Sequence, residues 1–452
     1  KTLFPNRVKV INNRRSDVYE SSAHIMTDAM RHDLTKALRQ ISDDSRYVLG
    51  ELRKNGSAWI VGGWVRDSLM GGNAADMDIA TTLTPKEIET IFPRSIMVGA
   101  NFGTVLVRIE DEENTSEWQV TTLRCEEDYL DGRRPETVSF LEAGEDDKGI
   151  IEDLSRRDFT INSMAIGIDE SLIDPHDGLN DLSTGTLRTV GSAEKRFKED
   201  GLRVLRAFRF LDAGEAGIRK MDEALERGIV QAEGFLSGVS KERVGVEITK
   251  ILSGENAHEI ALKMDSLGVF GRVFEGYNVD IPPQLSNNHL VNLALLFRNE
   301  DISGKSLSDR LRGTLVLSKN SLTEISIMHE CRNLELDCSI ESLRRFKVVV
   351  PETRREMILQ YLEKSGVDLR DFREALRQAE NEDLIISPII KGDKLAEVTG
   401  LVPGPRLGKL KAWLHRKQIE SALRTESDLI ALLSEFNWKR SNYEEWDILQ
   451  WP

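Results

Sequence analysis

The sequence predicts an α+β protein: a head with a mixed or antiparallel sheet and helices, followed by an elongated all-α neck, body and tail. Two observations carry this. Short apolar or alternating runs, the mark of strands, fall mostly within residues 57–190. From residue 192 onward apolar positions recur at helical spacing between short Gly, Ser or Pro breaks, as in Leu202, Leu205, Phe208 and Leu211, or Val244, Ile248 and Ile251. No repeat of fixed period and no low-complexity tract interrupts this division.

Residues 1–28 read as a polar extension. Lys1, Arg7, Lys9, Arg14 and Arg15 flank no apolar segment of the kind a secretory signal needs. A remnant organellar leader is the rival reading, and Asp17 and Glu20 break its acid-poor pattern. Met30, Leu34, Leu38 and Ile41, then Val48, Leu49 and Leu52, predict one or two amphipathic helices over 29–54. SAWIV (57–61) is a buried strand entering a turn at Gly62-Gly63, and 64–72 is a short helix ending at Gly71-Gly72. MDIA (77–80), TVLVRIE (104–110) and WQVTTLR (118–124) are three further strands. VDIPPQLS (279–286) and IISPIIKG (385–392) mark boundaries, and PGPRLG (403–408) opens a helix. The resulting domains are the extension 1–28, a head 29–190, a neck 191–278, a body 279–384 and a tail 385–452.

Composition narrows the function classes. A chain of 452 residues corresponds to about two to four structural units. With 40% hydrophobic and 30% charged residues it is neither disordered nor membrane-spanning, and no run of about 18 apolar residues suggests a membrane helix. Cys125, Cys331 and Cys338 form no CxxC or Cys/His pattern, so a structural zinc site is not expected. Such cysteine usage fits a reducing compartment, hence the cytoplasm, with an organelle as the alternative. His289 and His329 lack an adjacent Asp and read as surface or core residues, which argues against a His-Asp phosphohydrolase. The net charge of −15 does not invite bulk nucleic-acid binding, but steering depends on where charges sit. A monomer and a homodimer are equally open.

Three blocks carry chemistry. The first is Gly62-Gly63-Trp64-Val65-Arg66-Asp67 followed by Asp76-Met77-Asp78. Two glycines between a strand and a helix let the backbone approach a triphosphate and turn N–H groups toward it. Asp76 and Asp78, spaced i, i+2 on a strand, would put both carboxylates on one face. Two hard oxygen ligands suit Mg²⁺ and two-metal displacement at phosphorus. The second block is Arg156-Arg157-Asp158-Phe159-Thr160-Ile161-Asn162. Arginine supplies forked phosphate contacts, and Asp158 and Asn162 can engage ribose hydroxyls; the plainer alternative is a capped helix start. The third is Glu199-Asp200-Gly201-Leu202-Arg203-Val204-Leu205-Arg206. On one helix Asp200 and Arg203 would be neighbours, with Arg206 continuing the face. The simple reading is an intrahelical ion pair. The sharper one is a base reader: a carboxylate accepts from an amino group and a guanidinium donates to ring acceptors. Such a pair accepts CTP and ATP and rejects UTP and GTP.

Together, GGWVRD…DMD, RRDFTINSMA, DPHDGLNDL (174–182), EDGLRVLRAFRF and VSKERVGVE (239–247) resemble the class II tRNA nucleotidyltransferase and poly(A) polymerase family, strongly over about 55–250 and more loosely beyond. The resemblance implies a nucleotidyltransferase head and a neck holding a nucleotide-template helix. It implies two Mg²⁺ ions on Asp76 and Asp78, the catalytic carboxylates. Gly62, Gly63, Arg66, Arg156, Arg157, Asp158, Asn162 and Arg206 would bind the nucleotide, and Asp200 and Arg203 would read its base. The family often carries a glutamate where this chain has Gln119; Glu117 is the nearest substitute along the strand.

Within the family, EDGLR is closer to the tRNA enzymes than to bacterial poly(A) polymerases. Tyr129–Pro135 resembles the flexible loop of enzymes that add the final A, with Asp131 and Arg134 as a swinging couple. KGDKL (391–395) and PGPRLG resemble the tail of bacterial-type CCA enzymes. Residues 401–424 hold six Lys or Arg against one Glu. Arg406, Lys409, Lys411, Arg416 and Lys417 thus form a candidate face for tRNA phosphates, with Trp413 and His415 as stacking candidates. The resemblance implies an enzyme that builds CCA on tRNA from CTP and ATP. The alternatives are an A-adding specialist, a poly(A) polymerase, and an inactive RNA-binding homologue.

Overall fold

The computed structural model describes residues 28–72, 76–98, 103–110, 115–127, 137–140, 148–167, 169–334, 336–379 and 384–449. The loop couple Asp131 and Arg134 lies outside them. The described chain falls into two compact units that divide between Arg272 and Val273.

The first unit opens with helices α1 (Asp28–Arg39) and α2 (Asp43–Asn55). Ser42 caps α2 by accepting from the Ser45 N–H at 3.1 Å. Then come β1 (Ala58–Val61), α3 (Gly63–Leu69), β2 (Asp78–Thr81), α4 (Pro85–Ile91), β3 (Ile96–Met97), β4 (Thr104–Glu110) and β5 (Thr115–Thr122). A capping box between Thr84 and Glu87, with Pro85 at the first position, starts α4. After β6 (Arg124–Glu127), β7 (Thr137–Phe140) and α5 (Lys148–Ser155), a 3₁₀ turn at Thr160–Asn162 leads into β8 (Ala165–Ile166), β9 (Leu172–Ile173), α6 (Gly178–Thr184) and β10 (Thr186–Leu187). The unit ends with α7 (Ala193–Glu199), α8 (Leu202–Leu211), β11 (Lys220–Met221), α9 (Glu223–Gln231), α10 (Lys241–Leu252), α11 (Ala257–Ser266) and α12 (Val269–Val273).

Seven strands form one sheet in the order β3-β4-β5-β2-β1-β8-β9. All neighbours are antiparallel except β2 and β5, which run parallel. β1 is buried along its whole length, which explains why AWIV is uninterrupted by polar residues. Trp59 and Val61 pack with Leu123, Ile150, Leu154 and Ile173 under the sheet. This fixes α5 beneath the strands and so fixes where the chain emerges at Arg156. The sheet and the helices after it match the predicted fold class. The short β10–β11 pair (Thr186↔Lys220) is the one strand pairing among the described residues that reaches past residue 190.

The second unit is helical: α13 (His289–Leu295), α14 (Gly304–Thr314), α15 (Lys319–Glu330), α16 (Ile340–Val349), α17 (Glu352–Lys364), α18 (Arg370–Gln378), α19 (Gly392–Thr399), α20 (Pro405–Glu420) and α21 (Glu426–Glu435). Serines 303, 318 and 339 cap three of these helices. His329 is fully buried, with Nε2 3.0 Å from the Ile302 carbonyl oxygen, and His289 is half-buried at the start of α13. Leu395, Leu410, Trp413, Leu414, Leu429, Trp438 and Trp446 build a separate core at the C-terminal end. Among the described residues no helix is long and apolar enough to cross a membrane.

Candidate active site

A cleft of about 500 Å³ opens in the first unit. It is bordered by the Gly62-Gly63 turn, Asp78, the Arg156–Asn162 segment, α8 and Arg243 of α10. The three sequence blocks, separated by up to some 140 residues, therefore meet around one space.

The turn comes first. Gly62 has φ +78°, a conformation that favours glycine. A Cβ there would also stand 3.2 Å from Arg157 Nη1 and 3.5 Å from Asp78 Oδ2. Asp78 opens β2 and pairs with Val61 on one side and Gln119 on the other. Asp76 precedes the strand and is exposed. The i, i+2 strand placement predicted for the two carboxylates therefore holds only for Asp78. Burial raises the Asp78 carboxyl above its ordinary range; Arg157 opposes this and Asp76 adds to it.

Gln119 sits at the β5 position beside Asp78, which is where a third acid would stand. Glu117 does not substitute: its Oε1 accepts from Arg108 Nε at 2.5 Å, toward β4 and away from β2. Among the described residues no group of three His, Cys, Asp or Glu gathers around a metal position. The donor set is thus two carboxylates with a neighbouring amide. Hard oxygens few in number fit a divalent ion that keeps water and substrate phosphates as its other ligands.

Asp153 of α5 organises the arginines. Its Oδ1 accepts from Arg156 Nε (3.1 Å) and Nη2 (2.5 Å), and its Oδ2 from Arg157 Nε (3.2 Å) and Nη2 (3.1 Å). Burial would raise this carboxyl, but the two guanidinium groups outweigh it and hold it low. The sequence carried a usable signal, since Asp153 precedes the arginines by three and four residues, neighbours on a helix.

Asp158 and Asn162 border the cleft and are also hydrogen-bonded within the protein. Asp158 Oδ1 accepts from Phe159 N (2.8 Å) and Asn162 Nδ2 (3.2 Å). Its Oδ2 accepts from Arg206 Nε (2.7 Å) and Nη2 (2.5 Å). Asn162 Oδ1 in turn accepts from Arg66 Nη1 at 2.5 Å, and Arg66 also donates to Asp67 at 2.7 and 2.8 Å. Burial works against the Asp158 charge, yet Arg206 keeps the carboxyl depressed. A polar chain Asp67–Arg66–Asn162–Asp158–Arg206 thus ties α3 to α8. The DPHDGLNDL segment supports it from below. Asp174 caps α6 through Gly178 N (2.7 Å) and Leu179 N (2.8 Å), and burial lifts its carboxyl to about 6. Asp181 accepts from Thr160 Oγ1 at 2.5 Å.

The third block departs from the expected helix pair. Asp200 lies between α7 and α8 in extended backbone. Its Oδ1 accepts from Leu202 N at 3.1 Å, and its Oδ2 pairs with Arg243 at 2.6 Å. Arg203 pairs instead with Glu199, at 2.6 Å, and donates to the Arg156 carbonyl at 3.1 Å. The break lies at Asp200 itself; Gly201 beside it is in the right-handed helical region and must be glycine, because a Cβ there would lie 1.6 Å from the Phe235 carbonyl oxygen. Both Asp200 and Arg203 still border the cleft. Glu199, Arg243 and Phe210 fall within the quoted motifs but were given no role of their own; Arg243 is 43 residues from its partner, and nothing local announces the pairing.

The tail cations have structural work. Arg406 Nη2 donates to the Trp438 and Lys439 carbonyls at 2.7 and 3.0 Å, and Lys409 Nζ to those of Glu444 and Trp446 at 3.3 and 3.4 Å. Arg416 and Lys417 both pair with Glu420 at 2.7 Å. Four of the five proposed phosphate contacts are therefore committed within their own unit; Lys411 is half-buried on the same helix. Trp413 is a core residue stacked on Phe436, with centroids 3.9 Å apart, and His415 Nε2 meets the Ile386 carbonyl oxygen at 2.7 Å. Trp413 is therefore already stacked within the core.

Residues 58–188 match the family model of the poly A polymerase head domain, and 220–281 that of the probable RNA and SrmB-binding site of polymerase A. A CCA-adding enzyme of Staphylococcus aureus strain Newman is 37% identical over 259 residues, 57% of this chain and 61% of that protein. The chain thus spans about three-fifths of that relative. A CCA-adding enzyme of Lactococcus lactis subsp. cremoris is 31% identical over 400 residues, 86% of this chain and 94% of its own. In fold, the chain is similar to the Bacillus stearothermophilus CCA-adding enzyme solved in complex with CTP. The TM-score is 0.67 at 24% identity, covering 92% of this chain and 99% of that one. The Thermotoga maritima CCA-adding enzyme complexed with tRNA gives a TM-score of 0.61 at 21% identity, over 89% and 99%. A likeness that runs along nearly the whole Lactococcus protein, joined to a matching head domain, places this chain in the family of CCA-adding enzymes and poly A polymerase-type nucleotidyltransferases.

Proposed function

We propose that this chain adds C, C and A to the 3′ end of tRNA, taking them from CTP and ATP without a nucleic-acid template. The observation that carries the proposal is the single cleft that brings Gly62-Gly63 and Asp78 to one border and Asp200 and Arg203 to another, with arginines between. One nucleoside triphosphate fits that division of labour. Arg156 and Arg157, oriented by Asp153, grip the phosphates, and the glycine turn lets the backbone close on them. Asp200 keeps acceptor capacity beyond its bond to Arg243, since a carboxylate has about four lone-pair sites. It accepts the amino group of cytosine or adenine, while Arg203 donates to their ring acceptors.

In the reaction the tRNA 3′-hydroxyl attacks the α-phosphate of CTP, twice, and then of ATP, and pyrophosphate leaves. Asp76 and Asp78 would hold two Mg²⁺ ions, which supply activation of the hydroxyl and charge neutralisation on the leaving group. In this reading the head spans 29–190, the neck 191–278, the body 279–384 and the tail 385–452. The helical unit grips the acceptor–TΨC arm by shape and phosphates, and the protein works in the cytoplasm.

The test is to supply CTP alone, ATP alone or both, with Mg²⁺, to a tRNA ending at the discriminator base. Two additions with CTP and a third with ATP are expected. A long ladder with ATP alone would mark a poly(A) polymerase, and extension only of tRNA already ending in CC an A-adding specialist.

A further inference from the structure

Seven arginines border the cleft, and three of them, Arg66, Arg206 and Arg209, converge on one aromatic ring. Their guanidinium carbons lie 5.1, 5.2 and 4.3 Å from the Phe210 centroid. Phe159 meets the same ring edge-on at 5.6 Å. Each arginine also has its own carboxylate: Asp67 for Arg66, Asp158 for Arg206, Glu247 for Arg209. Three like charges gathered this closely repel one another, and carboxylates alone cannot hold them without consuming N–H donors that a phosphate needs. A ring face attracts a cation through its quadrupole and consumes no donor. In Arg206, Asp158 takes Nε and Nη2, so Nη1 is the group not spent on that carboxylate.

We infer that Phe210 is a positioning residue for nucleotide binding: its π face clusters the three arginines as a preformed cationic wall for the anionic part of the triphosphate. The inference rests on the proposed use of the cleft for CTP and ATP. Because the wall is built before the ligand arrives, its loss weakens substrate and transition state alike, so KM changes and kcat largely does not.

The test replaces Phe210 with mono-, di- and trifluorinated phenylalanines, which drain the quadrupole while nearly keeping shape, and with Tyr and Leu. In the full-length protein KM for CTP, and CTP affinity in the absence of tRNA, are measured alongside the melting temperature. A stepwise loss along the fluorine series is expected, reaching about 5- to 50-fold for Phe210→Leu, with Phe210→Tyr near wild type and kcat within about threefold. A flat fluorine series with an unchanged melting temperature would overturn the inference, as would a kcat loss with constant KM. If the unmodified protein neither binds CTP nor extends tRNA, the underlying functional reading fails instead, and the two failures are distinct.

Discussion

Asp78 carries the heaviest chemical load of any single residue: it alone of the acidic pair stands on the sheet, and it has Arg157 beside it at Gly62. Asp78→Asn should abolish C and A addition together, by about a thousandfold or more, since electrostatic stabilisation at phosphorus dominates such reactions. The melting temperature should hold or rise, because burial already opposes this charge; parallel incorporation assays and thermal melts check both. Gln119 offers the reverse experiment. It neighbours Asp78 in register, so Gln119→Glu adds a third hard ligand where the amide is. The Mg²⁺ concentration for half-maximal activity should fall several-fold; a metal titration showing no change would remove Gln119 from the metal's surroundings.

At the scale of elements, the break between α7 and α8 leaves Asp200 on the border of the cleft, and the close packing of the next residue, Gly201, on Phe235 depends on one missing methyl. Gly201→Ala drives a Cβ into the Phe235 carbonyl, and relief requires a backbone shift. Destabilisation of about 2 kcal/mol or more is expected by denaturant titration, with loss of discrimination against UTP in variants that still fold. In the helical unit, α20 ends on Glu420. Burial pushes that carboxyl up, but Lys417, Arg416 and Arg345 overcome it and set it at about 2 against an ordinary 4.5. A depressed carboxylate contributes stability above its unfolded pKa and forfeits it as pH falls. The unit should therefore weaken between pH 4.5 and about 2. Glu420→Gln should cost about 1–3 kcal/mol at neutral pH and flatten that acid dependence, as followed by melts across pH.

For the whole molecule, the parts legible in advance were those with local signatures. The buried strand before Gly62-Gly63, the five motifs and the change of texture after residue 190 all depend on spacing within a few residues. What stayed hidden depends on contacts across the chain. The ion pair of Asp158 with Arg206, 48 residues on, has no local signature. Asp200 and Arg203 look like a helical pair until Asp200 is seen in extended backbone, paired with Arg243, 43 residues on, while Arg203 pairs with Glu199. Trp413, Arg406 and Lys409 of α20 look like an RNA surface until the 436–446 segment is seen packed against them. Asp153 was readable from helical spacing alone, but a carboxylate that only orients other side chains carries no motif of its own.

The central claim is that one cleft adds C, C and A in that order. The most direct measurement is to incubate the full-length protein with Mg²⁺, all four nucleoside triphosphates and a tRNA transcript lacking its 3′ end, and to sequence the products. The account predicts termini of CC and CCA with UTP and GTP excluded. Oligo(A) tails, mixed sequences, or transcripts returned without extension would contradict it.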